Sequence, residues 1–202
     1  MSMLRAFVAI HIPRPIREAI GQSVAALSRA VGRSSVRWVA LENIHLTLKF
    51  LGDVSPSSLG LLEQMLGAEA SRHPTFQIQA GTLGVFPHLK HPRVIWIGLE
   101  APPALSGLHR GVEAAMERLG YSPEARPFSP HLTVGRVQDQ VTPKDLEALR
   151  AALEETQIPD LGRMAVEDLH LMKSDLKPGG PVYSTLFTAP LAKPDSVQRG
   201  EA

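Results

Sequence analysis

The chain has 202 residues, 44% of them hydrophobic, enough apolar material for one substantial core or for two small lobes sharing one. Its net charge of +1, from 21 basic and 20 acidic residues, argues against strong non-specific attraction to nucleic acid through bulk charge and leaves room only for a local basic patch. With no cysteine, disulfides, thiolate nucleophiles and cysteine-ligated zinc or iron–sulfur sites are excluded.

The first apolar run, 6–12, is short and alternating and stops at Pro13, which predicts a strand rather than a signal peptide or membrane span. A soluble cytoplasmic protein is the corresponding expectation. Ile16, Ile20, Val24, Leu27 and Val31 then form one stripe of a helix over 13–32, with Gly32 as its terminator. A short strand is expected at 36–39 and a longer one at 45–51. Ser55-Pro56 reads as a helix cap followed by a proline at the first helical position, opening a helix that carries Leu59, Leu62 and Leu66. A long strand follows at 76–86, with Gly81 and Gly84 as candidate bulge positions, then a strand at 94–99. A helix at 102–119 buries Leu105, Leu108, Val112, Met116 and Leu119. A strand at 131–137 precedes a helix opened by Thr142-Pro143, with Asp145 in capping-box position. Two strands, 164–173 and 183–188, joined by a turn in "KPGGP", complete a single bilobal domain over 1–192, and 193–202 is expected to be a flexible polar tail.

Two stretches share a tripeptide: "NIHLTLKF" and "FSPHLTVGR". His45 and His131 are 86 residues apart, Ser55-Pro56 and Thr142-Pro143 are 87 apart, and Arg5 and Arg93, like Phe76 and Met164, are 88 apart. The order strand, helix, "HLT" strand, helix, strand occurs twice, which predicts an internal duplication with a period of about 87 residues. Strand side chains alternate faces, so His45, Thr47 and Lys49 are expected on one face and Leu46, Leu48 and Phe50 on the other. If the leucines face the core, both His–Thr pairs face outward and meet across a pseudo-twofold axis. Two opposed imidazoles suit acid–base chemistry on a phosphodiester: one accepts a proton from the nucleophile and the other donates one to the leaving oxygen. Threonine hydroxyls donate to the non-bridging oxygens. A lone histidine in a strand is ordinarily structural or merely exposed; it is the matched repeat position and the matched threonine that favour function here.

These motifs resemble the paired His-x-Thr-x motifs of the two-histidine phosphoesterase superfamily. Within it, "RAFVAIHIP", "RWVALENIHLTLKFLGDV", "FSPHLTVGRV" and "LHLMKSDLKPGGPVYSTL" are similar to the RNA 2',3'-cyclic phosphodiesterases first described as 2'-5' RNA ligases of the LigT type. The resemblance spans about residues 5–191. It implies an α+β fold of two pseudo-symmetric lobes, with antiparallel sheets facing a central cleft and helices outside. It implies an RNA substrate ending in a 2',3'-cyclic phosphate, tRNA fragments among them, opened to a 2'-phosphate by a cytoplasmic monomer without metal, ATP or other cofactor. His45 would be the proton donor to the leaving 3'-oxygen and His131 the proton acceptor from water. Thr47, Thr133 and Arg136 would bind the phosphate. Arg136 completes the His-x-Thr-x-x-Arg form of the second motif but lies on the wrong face under strict alternation, unless Gly135 permits a bulge. The reverse reaction, in which a 5'-hydroxyl replaces water, would give 2'-5' ligation as the minor direction. Two alternatives keep the site: a phosphodiesterase on 2'-5' oligonucleotides or small cyclic nucleotides, and a non-catalytic module that grips RNA ends.

Other residues carry less. His88 and His91, in "FPHLKHPR", lie in a proline-flanked loop with no carboxylate nearby, so a basic loop with Lys90 and Arg93 near an RNA backbone is favoured over a metal pair, and a plain solvated loop over both. His170 lacks a threonine partner and reads as structural; His11, His73 and His109 carry no motif. Trp38 and Tyr183 are candidates to stack on a base, while Trp96 reads as core.

Overall fold

The computed structural model describes residues 2–31, 35–178 and 180–193. Gly32, Gly179 of the expected turn and the expected tail beyond Lys193 lie outside them. The strands are β1 (Leu4–His11), β2 (Val36–Trp38), β3 (His45–Val54), β4 (Phe76–Phe86), β5 (Val94–Glu100), β6 (His131–Val137), β7 (Arg163–Val166), β8 (Asp168–Lys177) and β9 (Gly180–Pro190). The helices are α1 (Arg14–Ala30), α2 (Leu59–Ala70), α3 (Pro103–Arg118) and α4 (Pro143–Glu155). None of the described helices is long and apolar enough to cross a membrane.

The strands run in the order β7-β4-β5-β6-β3-β1-β8-β9, with β2 added beside β6. Every pairing between them is antiparallel. This is a two-lobed α+β fold. One lobe is the sheet β3-β1-β8-β9, the other β6-β5-β4-β7, and a single residue pair, Leu46 opposite Leu132, joins β3 to β6. Helices α2 and α3 pack together on the first lobe, against β8, β9 and β3. Helices α1 and α4 pack on each other, and α1 shares a groove with Trp38, Val39 and Val134 of the second.

The lobes are therefore not consecutive halves of the chain. Helix α1 follows β1 of the first lobe but covers the second; α3 follows β5 of the second but covers the first. The expected strand over 164–173 is two strands. β7 pairs with β4 in the second lobe, and after Glu167 the chain continues as β8 between β1 and β9 in the first. The buried residues change parity there: Met164 and Val166, then Leu169 and Leu171. One apolar cluster runs through both lobes, from Val8 and Ile10 through Leu46 and Leu132 to Ile95 and Leu149. Fully burying each such side chain contributes about 1.5–3 kcal/mol.

The helix starts differ in detail. The Thr142 hydroxyl accepts from the Asp145 amide at 3.1 Å, as a capping residue should. Ser55 instead meets the Ser57 hydroxyl at 2.7 Å, and a 3-10 turn over Pro56–Ser58 precedes α2. In β4 the register shifts at Gly81, whereas Gly84 stays in register and makes room for a ring: a Cβ there would overlap Trp96.

Alternation on β3 fails at Lys49. Opposite Val8 and Ala9 on β1 stand Lys49 and Thr47, so Leu48 is unpaired and bulges. Lys49 thereby turns to the helix side, only 4% exposed, and Phe50 turns to the face of His45 and Thr47, 69% exposed. The Lys49 ammonium donates to Glu113 Oε2 at 2.7 Å and to the Ser122 carbonyl at 2.8 Å, which fastens the bulge to α3. Breaking such a pair strands the remaining charge. Lys49→Ala is expected to cost about 3–5 kcal/mol, seen as a lower urea midpoint, and Lys49→Met with Glu113→Leu should recover most of that loss. An unchanged midpoint in the single variant would contradict this account of the bulge.

Candidate active site

The same bulge occurs on β6. Opposite Ile95 and Trp96 stand Gly135 and Thr133, so Val134 is unpaired. Val134 and Gly135 are both buried, and Arg136 emerges on the face of His131 and Thr133, where Phe50 stands in the other motif. Gly135 suits this place because Trp38 and Val36 press against it: a Cβ would come within 2.9 Å of Val36 and 3.1 Å of the Trp38 ring. The two motifs thus share one backbone path, His-x-Thr-bulge-Phe and His-x-Thr-bulge-Arg.

Carrying the antiparallel register one residue either way from Leu46 and Leu132 sets His45 beside Thr133 and Thr47 beside His131. The histidines stand on one diagonal of this square and the threonines on the other. Both rings are oriented alike. His45 Nδ1 lies 2.7 Å from the Asn43 carbonyl, and His131 Nδ1 lies 2.7 Å from the Ser129 carbonyl. A carbonyl only accepts, so each Nδ1 carries the proton and donates it, leaving each Nε2 available for proton exchange.

Aromatic side chains flank each histidine. Phe7 stacks on His45 with ring centroids 4.8 Å apart, and Tyr183 meets it edge-on at 5.2 Å. Phe86 meets His131 edge-on at 4.9 Å, and Trp96 lies at 6.3 Å. Burial pushes the His45 imidazole below its ordinary value; the Asn43 carbonyl opposes this, and His11 and Arg136 add to it.

The two tryptophans exchange their expected places. Trp96, opposite Thr133, shares the site face; Trp38, opposite Gly135, packs on the helix side and is not available to a base stacked beside His45. Tyr183 does stand at the site, beside His45. Phe7 and Phe86 were not singled out by the sequence, and the signal available was slight: each sits in or at the end of an apolar strand, where core and cleft positions look alike. His11 also belongs here. It is the cross-strand neighbour of His45, stacks on His170 at 3.8 Å, and places Nε2 3.2 Å from the Met172 sulfur. His170 meets the Thr188 hydroxyl at 3.2 Å. His88 and His91 pack edge-on at 5.5 Å, and among the described residues no group of three or more metal-ligating side chains is gathered.

A fold of two antiparallel lobes, with one His–Thr pair presented by each across their seam, is that of a two-histidine phosphoesterase. The sequence pattern described as LigT like phosphoesterase matches residues 10–96 and again 97–183, and the chain belongs to that family. A relative from Methanothermobacter thermautotrophicus, named RNA 2',3'-cyclic phosphodiesterase, is 34% identical over 91% of this chain and 96% of its own. One of the same name from Archaeoglobus fulgidus is 36% identical over 91% and 98%. Among solved structures, E. coli LigT complexed with 3'-AMP is 30% identical with a TM-score of 0.74, covering 94% of this chain and 98% of that one. TT0787 of Thermus thermophilus is 26% identical with a TM-score of 0.76, covering 94% and 99%.

Burial and the adjacent His11 lower His170 from 6.5 to about 4, against an opposing pull from Asp168. The unfolded chain therefore takes up a proton near pH 6.5 that the folded chain refuses until about pH 4, and stability falls as pH drops through that window. The urea midpoint is expected to be lower at about pH 4.5 than at pH 7, and His170→Asn should narrow the difference. Equal wild-type midpoints would count against a neutral His170 in the folded protein.

Proposed function

We propose that this chain is an RNA 2',3'-cyclic phosphodiesterase that leaves a 2'-phosphate. The observation that supports it best is the mirrored pair of His–Thr motifs, each histidine with Nδ1 tied to a carbonyl and Nε2 left for chemistry. The relatives' shared name supports the substrate. In the reaction, water attacks phosphorus and gives its proton to His131 Nε2. The bond from phosphorus to the 3'-oxygen breaks, and His45 Nε2 protonates that oxygen. Thr47, Thr133 and Arg136 donate to the non-bridging oxygens as negative charge grows on them. The phosphate's negative charge offsets the burial that lowers His45, so substrate binding itself favours the protonated acid. With a 5'-hydroxyl in place of water, the same displacement of the 3'-oxygen forms a 2'-5' linkage. The substrate is RNA with a cyclic end, tRNA fragments included, handled by a cytoplasmic monomer that needs no metal. We also infer that residues 1–192 are one bilobal domain made by duplication, a reading supported by the twofold match of the family pattern.

Incubation of a cyclic-ended RNA in EDTA is expected to yield a 2'-phosphate; a 3'-phosphate would reverse the leaving group. His45→Ala and His131→Ala should each lower turnover by about 10²–10⁴-fold, the usual worth of a positioned proton-transfer group. Sulfur in place of the bridging 3'-oxygen leaves without protonation, so that substrate should rescue His45→Ala and not His131→Ala. Rescue of the other variant would exchange the two roles, and binding without turnover would make the protein a receptor for RNA ends.

A further inference from the structure

At the far end of β6 a basic pocket of about 390 Å³ is lined by Arg37, Arg93, Val94, Arg136, Val137, Gln138 and Asp139. Three guanidinium groups against one carboxylate leave this pocket at +2, whereas the whole chain carries only +1. Arg37 and Arg136 are direct cross-strand partners on β2 and β6, and both are exposed. Like charges placed directly opposite destabilise a strand pair. Among the described residues neither guanidinium has a salt bridge or hydrogen bond to offset this, whereas Arg93 Nη1 holds Asp139 Oδ1 at 2.7 Å. The backbone keeps all three together: the Val137 amide donates to the Arg93 carbonyl at 3.0 Å, and Arg136 also pairs with Val94.

The pocket opens on the site face. The bulge returns Arg136 to the side of Thr133, and register carries Arg37 to that side with it. From Thr133 to Arg136 is roughly 7 Å along the strand, allowing for the unpaired residue, a separation comparable to one nucleotide step of a single strand. Burial raises the Tyr183 phenol, and the positive charges of Arg136, Arg5 and Arg37 oppose it. Uncompensated guanidinium groups in a row match phosphate oxygens, which accept two hydrogen bonds from each.

We propose that Arg37 and Arg93, with Arg136 shared between them and the reacting group, form a second phosphate subsite that holds the phosphodiester one nucleotide upstream of the cyclic phosphate. The preferred substrate is then the 3' end of an RNA chain, not a mononucleotide. The inference rests on the cyclic phosphodiesterase reading and names what that site selects.

The experiment compares kcat/KM for a dinucleotide ending in a 2',3'-cyclic phosphate with that for the matching mononucleoside 2',3'-cyclic phosphate, in wild type and in Arg37→Gln. The wild type should prefer the dinucleotide roughly ten- to hundred-fold, the worth of charge-assisted hydrogen bonds to one phosphate. Arg37→Gln should lose most of that preference, and its kcat/KM on the dinucleotide should fall less steeply with salt. Equal wild-type rates on the two substrates, or an equal loss on both in Arg37→Gln at an unchanged melting temperature, would overturn the subsite and leave the phosphodiesterase reading standing. Turnover of neither substrate would overturn both.

Discussion

Everything in the cleft follows from how little holds β3 to β6. A normal antiparallel pair would zip along its length and close the space above it. Here one pair, Leu46 with Leu132, fastens the lobes, and the strands are free to part on either side. Both leucines are buried among the helices, so the apolar core sets the contact, and the polar face above it is left to present His45, Thr47, His131 and Thr133. Leu46 and Leu132 occupy the same place in their motifs, and the contact lies on the pseudo-twofold axis.

The mirrored bulges decide what else enters that space. Each inserts one residue after the threonine and reverses the parity of the strand. On β3 this sends Lys49 to Glu113 behind the sheet and brings Phe50 forward; on β6 it leaves Gly135 under Trp38 and brings Arg136 forward. One backbone device therefore yields an apolar ring on one side of the cleft and a cation on the other. The floor is graded in the same sense. His11 and His170, stacked and both lowered by burial, extend from His45 into the first lobe, and the arginines gather at the end of β6 in the second.

Much of this was legible in the sequence. The helices α1 and α3 and the strands β3 to β6 follow from apolar pattern and α4 from its capping residues, and the paired "HLT" strands announced the site because identical polar residues recurred where leucines fixed the opposite face. A bulge beside Gly135 was anticipated from the position of Arg136 relative to His131, and it falls at Val134; its counterpart at Leu48 was not, since Lys49 after a leucine looks like ordinary alternation. Trp38 and Trp96 were assigned to each other's faces because a ring in an apolar strand fits either side until its cross-strand partner is known: Gly135 for one, Thr133 for the other.

What the amino-acid sequence determined by itself is local: which segments extend or coil, which face of each is apolar, and that two histidines and two threonines are presented in matching fashion. These are properties of period and of nearest neighbours along the chain. Tertiary structure alone decided the partners. It split 163–177 between two lobes at Glu167, crossed α1 and α3 over to cover the opposite sheets, put His11 beside His45, and set Arg37 against Arg136. Strand pairing joins residues that are far apart in the chain, and the hydrogen bonds that do so are made by the backbone, which is the same at every residue and leaves no mark in the sequence.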